Sequence, residues 1–356
     1  MISFVWPPGT RLPAGTGGSE NYTVGQVREL IRRGIAAQIV TVGLGTRDGR
    51  NEFIDIPFLG LSSTARISGV DGVVVFVNEA ADVPTKEPAF VIMHIPPPDA
   101  ASSADIKRAI RGRTLIATSK YAARLWANYT GRGLAEVHIA YPFAEPCFAT
   151  QIRNPHSSST RILFAGRLSA QKGIYTLLET LHMEGIQNNP RLIFSVTTAG
   201  SDKPEGKLIK LLVDAHPNLT VVPARKTPAS MAELLSVHDL VIMPSNSQYW
   251  HETFGIVSVE AQHSGVRVVA SDDGGLPETN CGGIMLVHPD DPVALAKGIA
   301  AAIALGPLSD AIRRQAVNLF TVEQSVDNLL QVLFPAEVLT TQPVEKIVLK
   351  SSIKLP

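Results

Sequence analysis

The sequence predicts two α/β lobes, each a parallel sheet covered by helices, with a ligand cleft between them. Two observations lead there. A short β-branched run, a turn and an amphipathic stretch recur along the chain, the pattern of strands joined by crossover helices. The series also restarts after a Pro- and Ser-rich segment near the middle. A length of 356 residues suits two such units, at roughly 100–200 residues per domain.

In the first unit, Ile2–Trp6 reads as a strand, and Asn21–Arg33 follows with Val24, Val27, Leu30 and Ile31 at helical spacing. Gln38–Val42, Val73–Val77, Phe90–His94, Thr114–Thr118 and Val137–Ala140 are the later strands, with a helix around Leu125 and Trp126. Phe143–Thr160 changes character: Pro146, Asn154-Pro155 and Ser157-Ser158-Ser159 mark a linker. The second unit opens at Arg161–Ala165 and continues through strands at Leu192–Thr197, Thr220–Val222, Leu240–Met243 and Arg267–Ala270. Pro292–Phe334 is helical, with Val322, Val326, Leu329, Leu330 and Leu333 on one stripe. The expected division is a first lobe over 1–145, a linker over 146–160 and a second lobe over 161–335, its last helices packing back on the first. Residues 336–356 form a tail in which Val344–Val348 reads as an edge strand or an unstructured end.

Composition removes several function classes. Lys+Arg and Asp+Glu are equal at 32 each, without the basic excess of a nucleic-acid binder. Cys147 and Cys281 stand far apart and make neither a disulfide framework nor a zinc site, so a reducing cytoplasm is expected. No apolar run approaches the ~18–20 residues of a membrane span. Met1–Trp6 lacks the basic start and cleavage site of a signal peptide.

The chemistry concentrates in the second unit. Its first strand runs into Phe164-Ala165-Gly166-Arg167-Leu168-Ser169-Ala170-Gln171-Lys172-Gly173. A strand ending in Gly, with Arg and Lys five apart in the loop entering a helix, makes an anion cradle. Gly lets the backbone approach closely, the helix start adds positive potential, and two cations can neutralise a diphosphate. A second cluster runs from Met243-Pro244-Ser245 to His251-Glu252-Thr253-Phe254-Gly255-Ile256-Val257-Ser258-Val259-Glu260-Ala261. Gly255 is expected to open a helix whose free N–H groups face a phosphate or sugar. Glu252 precedes that helix, and Glu260 lies two turns along on the same side. A carboxylate there can accept two hydrogen bonds from a vicinal diol such as ribose offers. Taken singly, either glutamate is an ordinary helix acid, and loop Arg and Lys are ordinarily solvated.

Taken together, Gly-Arg-x4-Lys-Gly, Pro-Ser, Glu-x-Phe-Gly-x4-Glu-Ala, Gly265, Val268-Val269-Ala270-Ser271 and Gly274-Gly275-x-x-Glu278 resemble the retaining GT-B glycosyltransferases of the family-4, or group 1, type. The resemblance runs from Arg161 to about Leu333. In the first lobe it is weaker, resting on Gly17-Gly18-Ser19-Glu20, His94 and Thr118-Ser119-Lys120. It implies a metal-independent hexosyl- or pentosyltransferase that takes a nucleotide-sugar, UDP- or GDP-linked, as substrate and needs no cofactor. Arg167 and Lys172 would stabilise the leaving diphosphate, and Glu252 would hold hydroxyls of the donor sugar. The backbone of Gly166, Thr253, Phe254, Gly255, Ile256 and Val257 would line the donor, and Glu260 would hold the ribose. Arg225 lies where the family seats the base. Gly17 and Gly18 would leave room for phosphates or acceptor, and His94 matches a first-lobe histidine near the transferred sugar. Two segments depart from the family pattern: Tyr141-Pro142-Phe143 in place of Asn-Gly-Val, and Gly200-Ser201-Asp202-Lys203-Pro204 in place of Gly-x-Gly-Pro.

The acceptor is not legible beyond a carbohydrate, a lipid-linked or a small molecule. Lys107, Arg108, Arg111 and Arg113 form a basic run, either a solvated helix face or a patch for an acceptor phosphate or the inner face of a membrane. His94 reads alternatively as a packed strand-end histidine. The chain has no Asp-x-Asp motif and no His/Cys cluster at ligand spacing, so no metal site is expected. The alternatives on the same fold are a sugar phosphorylase, a nucleotide-sugar epimerase or a non-catalytic sugar-nucleotide binder.

Overall fold

The computed structural model describes residues 1–12, 17–98, 103–154, 158–248 and 251–335. The first lobe holds strands β1 (Ile2–Val5), β2 (Ala37–Val42), β3 (Phe58–Leu61), β4 (Val73–Val77), β5 (Ala89–Met93), β6 (Thr114–Ala117) and β7 (Val137–Ile139). They form one parallel sheet in the order β3-β2-β1-β4-β5-β6-β7. Its helices are α1 (Gly18–Arg32), α2 (Ser103–Ala109) and α3 (Lys120–Thr130). Buried faces on both sides of the sheet make two apolar layers, one around Phe4, Val27 and Ile39, the other around Phe76, Val91 and Trp126. Near-continuous Val/Ile runs such as Val73–Val77 suit a strand covered on both faces.

The second lobe opens with α4 (Pro146–Thr150) and β8 (Thr160–Phe164), then α5 (Ile174–Thr180), β9 (Leu192–Thr197), α6 (Pro204–Ala215) and β10 (Leu219–Val222). It continues with α7 (Pro228–Ser236), β11 (Leu240–Met243), α8 (Ile256–His263), β12 (Arg267–Ser271) and β13 (Ile284–Val287), and closes with α9 (Pro292–Ala304) and α10 (Asp310–Ala316). Its parallel sheet runs β10-β9-β8-β11-β12-β13. In each sheet the strand order reverses once, beside β1 and β4 and beside β8 and β11. Such switch points open a crevice at the carboxyl ends of the strands.

The last helix, α11 (Val322–Leu333), leaves its own lobe. Val322, Val326, Leu329 and Leu333 are buried in the first-lobe core. Gln26 donates to Ser325 at 3.1 Å, and Ser325 donates to the Tyr141 carbonyl at 2.7 Å. Of the helical region from Pro292, α9 and α10 stay with the second lobe through Leu295, Ile299 and Ala316. The segment expected as linker is structured where it begins: Pro146 starts α4, and Phe148 is buried in the second-lobe core. Strands β3 and β13 escaped the sequence reading. Both are four-residue edge strands; Gly60 interrupts the apolar run of β3, whereas Ile284–Val287 is apolar throughout and carried the signal of a strand. Residues 155–157 and the tail from 336 lie outside the described residues.

Candidate active site at the lobe interface

The loop after β8 turns through a short 3-10 segment, Ala170–Lys172, into Gly173 at φ 74°. A Cβ on Gly173 would lie 1.6 Å from the Pro244 carbonyl oxygen, so this loop and the loop after β11 touch there. The contact brings Lys172 to Glu252, whose carboxylate accepts from the Lys172 ammonium and, at 3.1 Å, from the Ser245 hydroxyl. Glu252 is buried, and burial alone would raise its carboxyl. Lys172, then Ser245 and Arg167, hold it below the ordinary range instead. Gly166 lies under this turn, where a Cβ would meet the Lys172 Cβ at 3.1 Å. Arg167 projects from the loop, exposed and without an ion pair among the described residues.

Gly255 at φ 91° begins α8, and no side chain caps that helix start. Its backbone N–H groups therefore remain available as anion donors. The Gly274-Gly275 turn supports the approach: Cβ atoms there would lie 2.4 Å from the Glu252 oxygen and 2.3 Å from the Thr253 oxygen, and Gly275 N donates to Glu252 O at 2.7 Å. Thr253 joins the lobes, since its hydroxyl donates to the His94 carbonyl at 2.7 Å and its own carbonyl accepts from Ser119. The Phe254 side chain is core, packed with Tyr141 and Phe320, so only its backbone can serve a ligand. Ile256 and Val257 stay half-buried. Glu260 has different surroundings from Glu252. It is buried, and burial first, then the Glu145 carboxylate, push its carboxyl up to about 8.

Across the cleft, α1 begins at Gly17-Gly18. A Cβ on Gly18 would come within 3.7 Å of Ile256, which places this loop against the α8 start. A Cβ on Gly17 would sit 2.3 Å from a Glu20 carboxylate oxygen. His94 closes β5; its Nε2 is buried without a hydrogen-bond partner, and its ring meets the Tyr22 edge at 4.6 Å. Burial holds the imidazole neutral, down at about 3. It can therefore serve as a neutral donor or acceptor toward a sugar, not as a cation.

Three residues without a role in the sequence reading help build this site. Asn78, left-handed at φ 61°, follows β4; its Oδ1 accepts from His94 N at 2.9 Å and its Nδ2 reaches Ser19 Oγ at 3.4 Å. An Asn directly after a β-branched run was the available signal, because Asn tolerates that conformation. Glu278 crosses from the second lobe to cap α3: it accepts from Lys120 N at 2.9 Å, Tyr121 N at 2.7 Å and the Tyr141 hydroxyl at 2.9 Å. Ser245 is the third. Arg225 is exposed after β10, two strands from β8, or about 10 Å at ordinary sheet spacing. Three of the four cations of the basic run have partners within the first lobe. Arg108 is paired with Asp82 and Asp105, Arg113 stacks on Phe76 and donates to Val83 O, and Lys107 lies over Tyr129, which leaves Arg111.

Two parallel-sheet lobes meeting at the carboxyl ends of their strands define the GT-B architecture. Residues 149–318 match the family described as glycosyl transferases group 1, so the second lobe is a group 1 glycosyltransferase domain. A D-inositol 3-phosphate glycosyltransferase of Pseudarthrobacter chlorophenolicus is 34% identical over 176 residues, 46% of this chain and 40% of that protein. A lipopolysaccharide 1,2-N-acetylglucosaminetransferase of Salmonella typhimurium is 30% identical over 163 residues, 42% of each chain. The matched stretch thus spans about two fifths of these curated relatives. Over the whole fold, a glycosyltransferase from Rickettsia africae superimposes with TM-score 0.74 at 18% identity, covering 96% of this chain and 99% of that one. Anabaena HepE in complex with UDP and glucose gives TM-score 0.68 at 18% identity, with the same coverages. Among the described residues no helix is long and apolar enough to cross a membrane.

Proposed function

We propose that the chain transfers a sugar from a nucleotide-sugar to an acceptor hydroxyl with retention and without a divalent metal. The observation that carries this reading is the convergence, on one side of the cleft, of Arg167, the Lys172–Glu252 pair and the uncapped start of α8, opposite Gly18 and His94. The reaction breaks the bond from sugar C1 to the diphosphate oxygen, which leaves with the electron pair. The acceptor oxygen bonds to C1, and its proton is taken up by the released diphosphate. Negative charge grows on the leaving oxygen, and preorganised cations and helix N–H groups stabilise such charge most in a water-poor cleft. Lys172 is poised for it, because an ammonium already held by Glu252 needs little reorganisation. Glu252 and the neutral His94 would bracket the sugar from opposite lobes, and Glu260 would receive the ribose diol. HepE, a structural neighbour, is a complex with UDP, which supports testing uridine donors first.

A thermal-shift panel of UDP-, GDP-, ADP- and dTDP-sugars tests the reading, since a ligand selective for the folded state raises the midpoint. One base series is expected to raise it. If none does so at millimolar concentration, the donor site is wrongly placed.

A further inference from the structure

A cavity of about 1210 Å³ opens in the first lobe beside the proposed transfer site. Its wall runs from Asn78 and Glu79, after β4, across Ile95–Pro98 to α2 and α3, and reaches His251, next to Glu252. The volume exceeds the roughly 300–1,000 Å³ of ordinary small-molecule sites, so a bare hexose would leave much of it empty. Much of the wall is apolar. Ile95, Ile106 and Leu125 contribute to it, and the buried Trp126 behind them spends its Nε1–H on the Ile95 carbonyl at 2.9 Å, leaving no donor there.

The charges on that wall have one sign in excess. Glu79, Asp82 and Asp105 line it, and Arg108 is its one basic side chain among the described residues besides His251. Arg108 is engaged, at 2.7 Å to Asp82 and 2.6 Å to Asp105. Glu79 has no ion-pair partner among the described residues. The His251 ring is bonded to Asp273 at 2.7 Å. A phosphorylated acceptor would meet like charge and no free donor cation, a costly juxtaposition.

We infer that this cavity takes an uncharged acceptor made of a hydroxyl-bearing head and an apolar body, and excludes sugar phosphates. The inference rests on the proposed transfer reaction and names its acceptor class. The head hydroxyl would lie toward His251 and Glu252, and the apolar body would run along Ile95, Ile106 and Leu125.

The test uses the full chain with the nucleotide-sugar that the thermal panel selects. Release of nucleoside diphosphate is followed with octyl β-glucoside, glucose or glucose 6-phosphate as acceptor. Octyl glucoside is expected to accelerate release over hydrolysis by roughly tenfold or more, and glucose 6-phosphate to leave it at the hydrolytic rate. In the exposed-site variant Glu79→Lys, the ratio of the two rates should move toward the phosphate by roughly tenfold. Acceleration by glucose 6-phosphate with none by octyl glucoside overturns the inference. So does an unmoved ratio in the variant, or acceleration by neither acceptor while the nucleotide still binds. Failure of every nucleotide to bind would instead count against the donor site itself.

Discussion

Lys172→Ala is expected to lower turnover by about 10²–10³ at saturating donor, the usual cost of removing one preorganised charge donor from a developing anion. The structure gives a reason to expect the larger end. Lys172 faces both the buried Glu252 and the space before α8, so its removal leaves a buried carboxylate without its ammonium. That carboxyl would then tend toward the neutral form. Arg167→Ala should also cost orders of magnitude, at the lower end, because Arg167 is exposed and supports no other side chain through an ion pair among the described residues. The measurement is kcat with the folded fraction checked by calorimetry. Activity within a few-fold of wild type in both variants would mean the loop is ordinary surface.

Glu252→Gln and Glu260→Ala should separate transfer from nucleotide binding. Glu260→Ala removes the partner of the ribose diol, worth about 1.5–3 kcal/mol where the carboxyl is ionised, or roughly 10- to 100-fold in affinity for the free nucleoside diphosphate at a pH of about 8 and above. Glu252→Gln should leave that affinity nearly intact and depress turnover, since its proposed contacts are to the sugar. Titration calorimetry decides, and equal loss of affinity in both variants would contradict the division. The raised carboxyl of Glu260 adds a pH signature. With its folded value near 8 against an ordinary 4.5, the folded protein keeps a proton that the unfolded chain releases. The contribution to stability is then full below about 4.5 and is lost as pH rises toward 8. Nucleotide held by the ionised form should bind more tightly as pH rises to 8, by up to about tenfold per unit. Glu260→Gln should lose that slope. The titration of the diphosphate itself is common to both proteins, so an identical slope in the two would show that Glu260 is not the linked group.

Both sheets and their central strands were legible because strands such as β4 and β11 are buried on both faces and read as apolar runs. Of the edge strands, β3 is interrupted by Gly60, whereas β13, Ile284–Val287, is an apolar run like β11 and was open to the same reading. The cation loop and the Glu252-to-Glu260 cluster were visible from residue type and spacing. What joins them was not. The Lys172–Glu252 pair and the Glu278 clasp on α3 span 80 and 158 positions, and no local periodicity encodes contacts of that range. The partners of the basic run were hidden for the same reason: Asp82, Phe76 and Val83, which engage it, come from another part of the lobe. Asn78 had a local signal, an Asn ending a buried strand, but its role depends on meeting His94 and Ser19.

The claim at the centre is that Arg167, Lys172 and the start of α8 supply the positive potential that a leaving diphosphate requires. Turnover after exhaustive chelation, with donor and acceptor at saturation, tests it most directly. Mg²⁺ can ride on a free diphosphate and alter rates mildly, so the comparison is between full chelation and millimolar Mg²⁺ or Mn²⁺. The expected result is a rate within a few-fold in all three conditions. Loss of turnover in EDTA, restored only by a divalent cation, would contradict the account.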